Sequence, residues 1–434
     1  MAPTIKHKAK PYIDLISNNV NYRRLWISQI ISNFGDWFGI LAVYAIIHLY
    51  SGSEFLLGLI IVVKMLSLAF SSPIAGFITD RFNRRHLMIA SHIARGILVL
   101  GFILITSAEL LWLAYAITAV QMVFSAIFEP AKTSSIPNIT TPQELVSANI
   151  LSAVSWSIIF TTGMAIGGFA TAYLGTDVVF IINGLSYGVA AIFIYRTVIP
   201  QKEMSSEQKR ENKNPVKGIV QGFRFLKNNR DVLRPALAKG TFTMCLGAII
   251  YMLIIVAEEV LMMGSIGLGI LYAARGVGTG IGPILGRRIF RREAGWVRAI
   301  GFFMIFTGLM YAVVSNIGSI ILMCIFVTIA HMASGSNWVF STVLVQRRAP
   351  DLYRGRVFST EWLLFTLAQS ASVTAAALIL EFNILNIQQT MTLFSVLLVL
   401  SGVFWLVKVA PSEKNVPDTV LDGLNLDPYF KDKL

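Results

Sequence analysis

Twelve long apolar stretches, parted by short charged turns, leave this 434-residue chain few ways to fold. A helix needs about 20 mostly apolar residues to cross roughly 30 Å of hydrocarbon. Inside a bilayer each backbone N–H and C=O must find its partner within the segment, so such stretches are helices. They fall near 25–50, 55–79, 86–106, 108–129, 148–174 and 177–197, and again near 237–257, 264–286, 295–316, 318–345, 356–380 and 388–410. Only 14% of the residues are charged and 55% are hydrophobic, against about 25% charged in a soluble domain. A soluble multidomain enzyme and a disordered chain are thereby excluded. The first apolar run is too long for the core of a cleavable signal peptide, so none is expected. Cys245 and Cys324 both lie in apolar runs and imply no disulfide framework.

A net charge of +13 could mark a nucleic-acid binder, so the placement of the charges decides. One set of turns holds Asp80, Arg81, Arg84, Arg85, Lys132, Arg287, Arg288, Arg291, Arg292, Arg347, Arg348, Arg354 and Arg356. The alternate turns carry no Lys or Arg and hold Glu54, Glu109, Asp177, Glu258, Glu259 and Glu381 instead. Basic loops stay on the cytoplasmic side. The expectation is a multi-pass protein of the cytoplasmic (inner) membrane with both termini cytoplasmic and no nucleic-acid partner. The layout reads as a cytoplasmic N-terminal segment (1–24), a six-helix bundle (25–198), a cytoplasmic linker (199–236), a second six-helix bundle (237–410) and a polar cytoplasmic tail (411–434). In the linker Ile219, Phe223, Leu226 and Leu233 recur in helical rhythm between basic residues, predicting an amphipathic helix over 216–234 on the membrane surface.

The halves repeat. Gly58 precedes Lys64 as Gly269 precedes Arg275, and Pro73 and Pro283 follow before arginine-rich turns. A parallel repeat of two six-helix halves places a substrate site at mid-depth between them. Ionisable groups inside the membrane are functional candidates by default. Asp36 ends a polar helix face with Gln29 and Asn33, and a carboxylate on a wet face is placed to carry protons; the other reading pairs it permanently with Lys64. Lys64, Arg95 and Arg275 are three cations against one carboxylate, which an anionic or zwitterionic substrate would balance; the plainer reading spends Arg95 and Arg275 on backbone carbonyls. His331, Ser334 and Trp338 share a face of the tenth span, and the substrate-cavity candidates are Asn33, Lys64, Arg95, Arg275, His331 and Trp338. Glu361 sits near the start of the eleventh span, where a helix N-terminus favours an anion, and reads as structural, with proton transfer the other reading.

Gly76-Phe-Ile-Thr-Asp80-Arg81-Phe-Asn83-Arg84-Arg85, after the second span, resembles the loop motif of the major facilitator superfamily, with Asn83 where glycine is usual. Asn33-Phe-Gly35-Asp36-Trp37, Glu129-Pro130-Ala131-Lys132 with Ala148-Asn149, and Pro350-Asp351 with Arg354-Gly355-Arg356 resemble its enterobactin-exporter and macrolide-efflux branch of drug:proton antiporters. The fifth span keeps Gly163, Gly167 and Gly168 but lacks that branch's Gly-Pro pair. The resemblance implies an all-α membrane protein, twelve transmembrane helices in two pseudo-symmetric bundles. It also implies that Gly76, Asp80, Arg81, Arg84 and Arg85 form a latch between the halves.

Three other signals dissolve. Gly184-Leu-Ser186-Tyr-Gly188 has the nucleophile-elbow spacing but lies within an apolar span. The glycine run 276–282 lacks a phosphate-loop lysine. Cys324 and His331 stand about 10.5 Å apart along a helix, too far to share one metal ion. The expectation is therefore a monomeric secondary transporter with no catalytic residues, metal or cofactor. It would export a small amphiphilic, possibly anionic molecule, drug- or siderophore-like, in exchange for protons carried by Asp36. A lysophospholipid flippase of the same fold is the alternative, and an intramembrane enzyme a remote one.

Overall fold

Every regular element among the described residues is helical. The computed structural model describes residues 11–51, 54–201 and 215–415. What the sequence predicts for 1–10, for 202–214 and for the tail beyond 415 lies outside them. A short α1 (Pro11–Asn18) precedes six spans: α2 (Val20–Ser51), α3 (Glu54–Arg81), α4 (Arg84–Leu100), α5 (Trp112–Ile139), α6 (Pro142–Leu174) and α7 (Thr176–Tyr195). The helix α8 (Pro215–Asn228) leads to six more: α9 (Arg230–Ile255), α10 (Gly264–Ile289), α11 (Trp296–Val314), α12 (Ile320–Arg348), α13 (Asp351–Glu381) and α14 (Ile387–Phe404). All twelve long helices are apolar enough to cross a membrane. The arginine-rich turns gather at one end of the bundle, the basic end, and the acidic turns at the other.

Local chemistry sets the turns. Thr141 and Glu144 form a capping box with Pro142 at the first helical position of α6. Gly175 joins α6 to α7 at φ +82°, a conformation that a side chain would strain. Asn83, the departure from the familiar motif, N-caps α4 by accepting from the His86 N–H at 3.2 Å.

The halves meet along two symmetry-related seams, α3 against α13 and α6 against α10. The glycine run of α10 serves both its neighbours. Gly276 and Gly280 face Ser157 of α6 across the seam, while Gly278 and Gly282 press on the backbone carbonyls of Thr328 and Met332 in α12. A Cβ at Gly280 would meet Ser157 at ordinary contact, 3.4 Å, whereas one at Gly282 would lie 2.5 Å from the Met332 Cα. Gly282→Ala should therefore cost about 1–3 kcal/mol by overpacking, read as a lowered melting temperature in detergent. Gly280→Ala should leave it unchanged; equal melting of the two variants would refute this packing.

Two expectations need correction. The linker helix is not continuous over 216–234: it breaks at Asn229 (φ −114°, ψ 80°), and α9 begins at Arg230 rather than near 237. Nor is its apolar face free for lipid, because Phe225 and Leu226 are buried with Val232, Val357 and Phe358, and Phe225 stacks on Tyr353 at 4.6 Å. Phe223, assigned to the apolar stripe, is exposed instead. The first residues of the tail also have a place, since Glu413 pairs with buried Arg348 at 2.7 Å and with Arg234 at 3.3 Å.

Candidate functional site

Glycines decide which way Asp36 points. Gly35 and Gly39 of α2 seat against Asn183 and Ser186 of α7, and Gly163 and Gly167 of α6 receive Trp37 and Phe38. With two faces of α2 spent on these contacts, Asn33, Asp36 and Trp37 turn into a cavity of about 530 Å³. Lys64, Arg95, Gln121 and Glu129 line it from α3, α4 and α5, and Trp362, Phe365, Thr366 and Gln369 close it from α13. The lining residues of α2, α3 and α5 run from mid-depth toward the acidic end. A wider surface hollow of about 800 Å³ lies at the acidic end near Glu259 and Glu381, but no Lys or Arg lines it among the described residues. The inner cavity carries the chemistry.

Asp36 joins three helices. Arg95 Nη2 donates to its two carboxylate oxygens at 2.8 and 3.1 Å, and the Tyr187 hydroxyl donates to Oδ1. The guanidinium also lies 4.6 Å from the Tyr187 ring centroid. The Asp36 side chain is 35% exposed and that of Arg95 only 6%, so the carboxylate is the cavity's side of the pair. Lys64 is not its partner: among the described residues it forms no ion pair, and its ammonium stands 5.9 Å from the Trp37 ring centroid. Glu129 is neutralised by Lys132 at 2.7 Å. With Asp36 bonded to Arg95, Lys64 is the lining cation that has no ion-pair partner among the described residues. His92, one turn before Arg95, is fully buried beside Ser28 at 3.3 Å and against Phe128.

Asn33, Asp36, Lys64 and Arg95 are thus brought together; Arg275, His331 and Trp338 stand outside the lining. His331 is buried within the second half and shares a 2.8 Å hydrogen bond with the Tyr311 hydroxyl, the ordinary fate of a core histidine. Arg275 lies over Tyr272 at 5.3 Å. Trp338 backs the wall, packed edge-on against Trp362 and Phe365. In the sequence Tyr187 lies within the hydrolase-like spacing 184–188, which masks its role; Ser186 and Gly184 serve close packing.

At the basic end the halves are bonded together. Asp80, wholly buried, accepts from the Gly355 and Arg356 N–H groups at 2.7 and 3.1 Å and pairs with Arg356 Nε at 3.2 Å. Gly76 and Gly355 allow this approach; a Cβ on Gly355 would stand 2.5 Å from Asp80 Oδ1. Arg84 donates to Asp351 Oδ1 at 2.6 Å and to its carbonyl at 2.7 Å. Asn138 bonds Asp351 and Arg354, and Gln346 bonds Asn149. Arg85 does not join this set: it donates to the Tyr195 carbonyl in its own half. Arg81 lies 5.8 Å from the ring centroids of Phe77 and Phe82.

A sequence model of the Major Facilitator Superfamily matches residues 25–373. A putative bacilysin exporter of Bacillus subtilis, BacE, is 26% identical over 78% of this chain and 84% of its own length. An uncharacterised MFS-type transporter of the same species, YfiS, is 28% identical, and the match spans about half of each chain, 53% and 54%. The enterobactin exporter EntS of Shigella boydii is 24% identical over 63% and 64%. Among solved structures, the human organic anion transporter MFSD10 superposes with a TM-score of 0.72 at 14% identity, covering 89% of this chain and 99% of that one.

Proposed function

We propose that this chain, which belongs to the major facilitator superfamily and is a membrane transporter rather than an enzyme, exports a small amphiphile bearing an anionic group in exchange for protons. The observation that carries this reading is an accessible carboxylate, Asp36, set in the wall of the cavity between the halves beside Lys64, which forms no ion pair among the described residues. A proton and a donor group of the substrate compete for the oxygens of Asp36. That mutual exclusion is what exchange requires. Lys64 supplies the charge for the anionic group, and the aromatic walls built by Trp37, Trp156, Trp362 and Phe365 take the apolar part. Exporters among the relatives support the direction. Arginine-rich turns on the cytoplasmic side support an inner-membrane protein with both termini inside and a cavity facing out. Transport then follows from rocking the α2–α7 half against the α9–α14 half around the site.

The test is uptake into inverted vesicles of a panel of dyes, siderophores and lysolipids, with and without a proton gradient. Gradient-independent transport, or uptake of lysolipids alone, would replace this reading with that of a lipid flippase. Within the panel, Lys64→Glu should slow anionic cargo at least about tenfold, the equivalent of ~1.4 kcal/mol, and cationic cargo less. Equal losses would make Lys64 a structural residue.

A further inference from the structure

A second buried ion pair lies apart from the cavity. Lys239 Nζ of α9 stands 3.0 Å from Glu361 Oε2 of α13, with side-chain exposures of 5% and 2%. The other carboxylate oxygen, Oε1, is buried with no hydrogen-bond partner among the described residues. As a staple this arrangement is poor, because a desolvated pair holds its own only when the remaining lone pairs are satisfied. Lys239 Nζ also rests 4.3 Å from the ring centroid of Trp338, whose edges meet Trp362 and Phe365. Those two rings face the cavity, so three aromatic side chains separate the pair from it.

Position along α13 gives the pair its meaning. From the basic end upward, Gly355 and Arg356 hold Asp80, Glu361 meets Lys239, Trp362 and Phe365 form the wall, and Thr366 and Gln369 line the cavity. At 1.5 Å per residue Glu361 lies about 15 Å from the start of its helix, while Asp36 lies about 24 Å from the start of α2. Both helices start at the basic end. Glu361 is therefore the nearer to that end, sealed from it by the latch and from the cavity by the rings. Of the elements packed on α13, α3 brings Asp80, already paired, Arg81 beside Phe77 and Phe82, and Lys64 in the cavity wall; α5 brings Glu129 and Lys132, paired with each other; and α9 brings, besides Lys239, Arg230, Asp231 and Arg234 nearer the basic end. The α8 helix brings the exposed Arg224 and Lys227, and α14 brings no charged residue. Lys239 of α9 is the charge that acts on Glu361.

We propose that Glu361 is a second proton-exchanging carboxylate of the cycle, closed off in the present state and opened to the basic side when the latch parts. One proton from water on that side binds Oε1 and later leaves it; nothing is oxidised, and Lys239 keeps its charge on the face of Trp338. The proposal deepens the reading of proton-coupled export, and the two fail separately: Asp36 meets both sides in turn, so its loss removes coupling altogether, whereas the loss of Glu361 removes only a dependence on basic-side pH.

Accessibility and pH dependence test it together. In the full-length protein with Cys245→Ser and Cys324→Ser, Glu361→Cys is treated with a membrane-impermeant thiosulfonate from each side of oriented vesicles. Labelling from the basic side should quicken about tenfold or more when Asp80→Asn opens the latch, with none from the acidic side. Labelling from the acidic side, or a rate indifferent to the latch, overturns the proposal. In transport, Glu361→Gln should flatten the dependence on basic-side pH and spare that on acidic-side pH. Should that variant fail to fold, Lys239→Gln serves: it should move the basic-side midpoint by about one pH unit or more. A purely structural pair would leave both basic-side profiles as in the wild type, and that result also overturns it.

Discussion

Asp36→Asn is expected to abolish stimulation of export by a proton gradient while leaving a folded protein in the membrane. The amide still accepts from Arg95 and Tyr187, so the junction of α2, α4 and α7 keeps hydrogen bonds, but it can no longer take up and release a proton. Loss of the driving reaction should lower gradient-dependent export by at least about two orders of magnitude, the equivalent of ~2.7 kcal/mol in the coupled step. Stability suffers less. Breaking a fully buried ion pair costs about 3–5 kcal/mol because a charge is stranded; here the carboxylate is 35% exposed, so solvent screens part of that loss. Adding Arg95→Gln removes the stranded guanidinium. The double variant should regain melting temperature without regaining coupling. If Asp36→Asn still couples export to the gradient, the proton is carried elsewhere.

How much of this site could be read from residues alone depends on what each residue answers to. The twelve spans and the sorting of arginines follow from local hydropathy and charge, and they match the helices. Spans α5, α6, α12 and α13 run several residues farther toward the basic end than hydropathy shows, because polar residues such as Asn138, Gln346 and Arg354 are taken up by bonds across the seam. The partner of Asp36 is another matter. Lys64 and Arg95 are equally plausible by depth, and only the seating of Gly35 and Gly39 on Asn183 and Ser186 turns the carboxylate toward α4. Helix rotation is a tertiary quantity. The same reason puts His331 inside the second half although it shares a face of α12 with Ser334 and Trp338. Lys239 was hidden by a boundary: with the seventh span drawn from 237, it reads as the last linker cation rather than a residue about two and a half turns inside the buried helix. Tyr187 left a usable signal, a polar aromatic among small residues in an otherwise apolar span, but no indication of which acid it would meet.

Asp80→Asn is the second large effect expected, and its target is the balance of states. The carboxylate accepts from two backbone N–H groups of α13 and pairs with Arg356 and Arg84, the latter at 3.8 Å. An asparagine offers one acceptor oxygen; its NH₂ would face a donor, and the two guanidiniums lose their shared anion. At about 3–5 kcal/mol for a broken buried pair, the state closed at the basic end should lose at least about a hundredfold in population relative to the open one. Distances between spin labels across the basic turns of α3 and α13 would lengthen, and export, on the proposed reading, would slow because the state open at the acidic end is no longer held. Gly355→Ala should act in the same direction without changing any charge, since its Cβ would stand 2.5 Å from Asp80 Oδ1. Arg85→Gln supplies the contrast, because Arg85 bonds the Tyr195 carbonyl within its own half. It removes a cation of the same motif and should leave the label distances where they are. A shift in all three variants would mean that the basic end is held by its overall charge, and a shift in none that the seams between α6 and α10 hold it alone; only the split pattern marks Asp80 and its glycine seat as the latch.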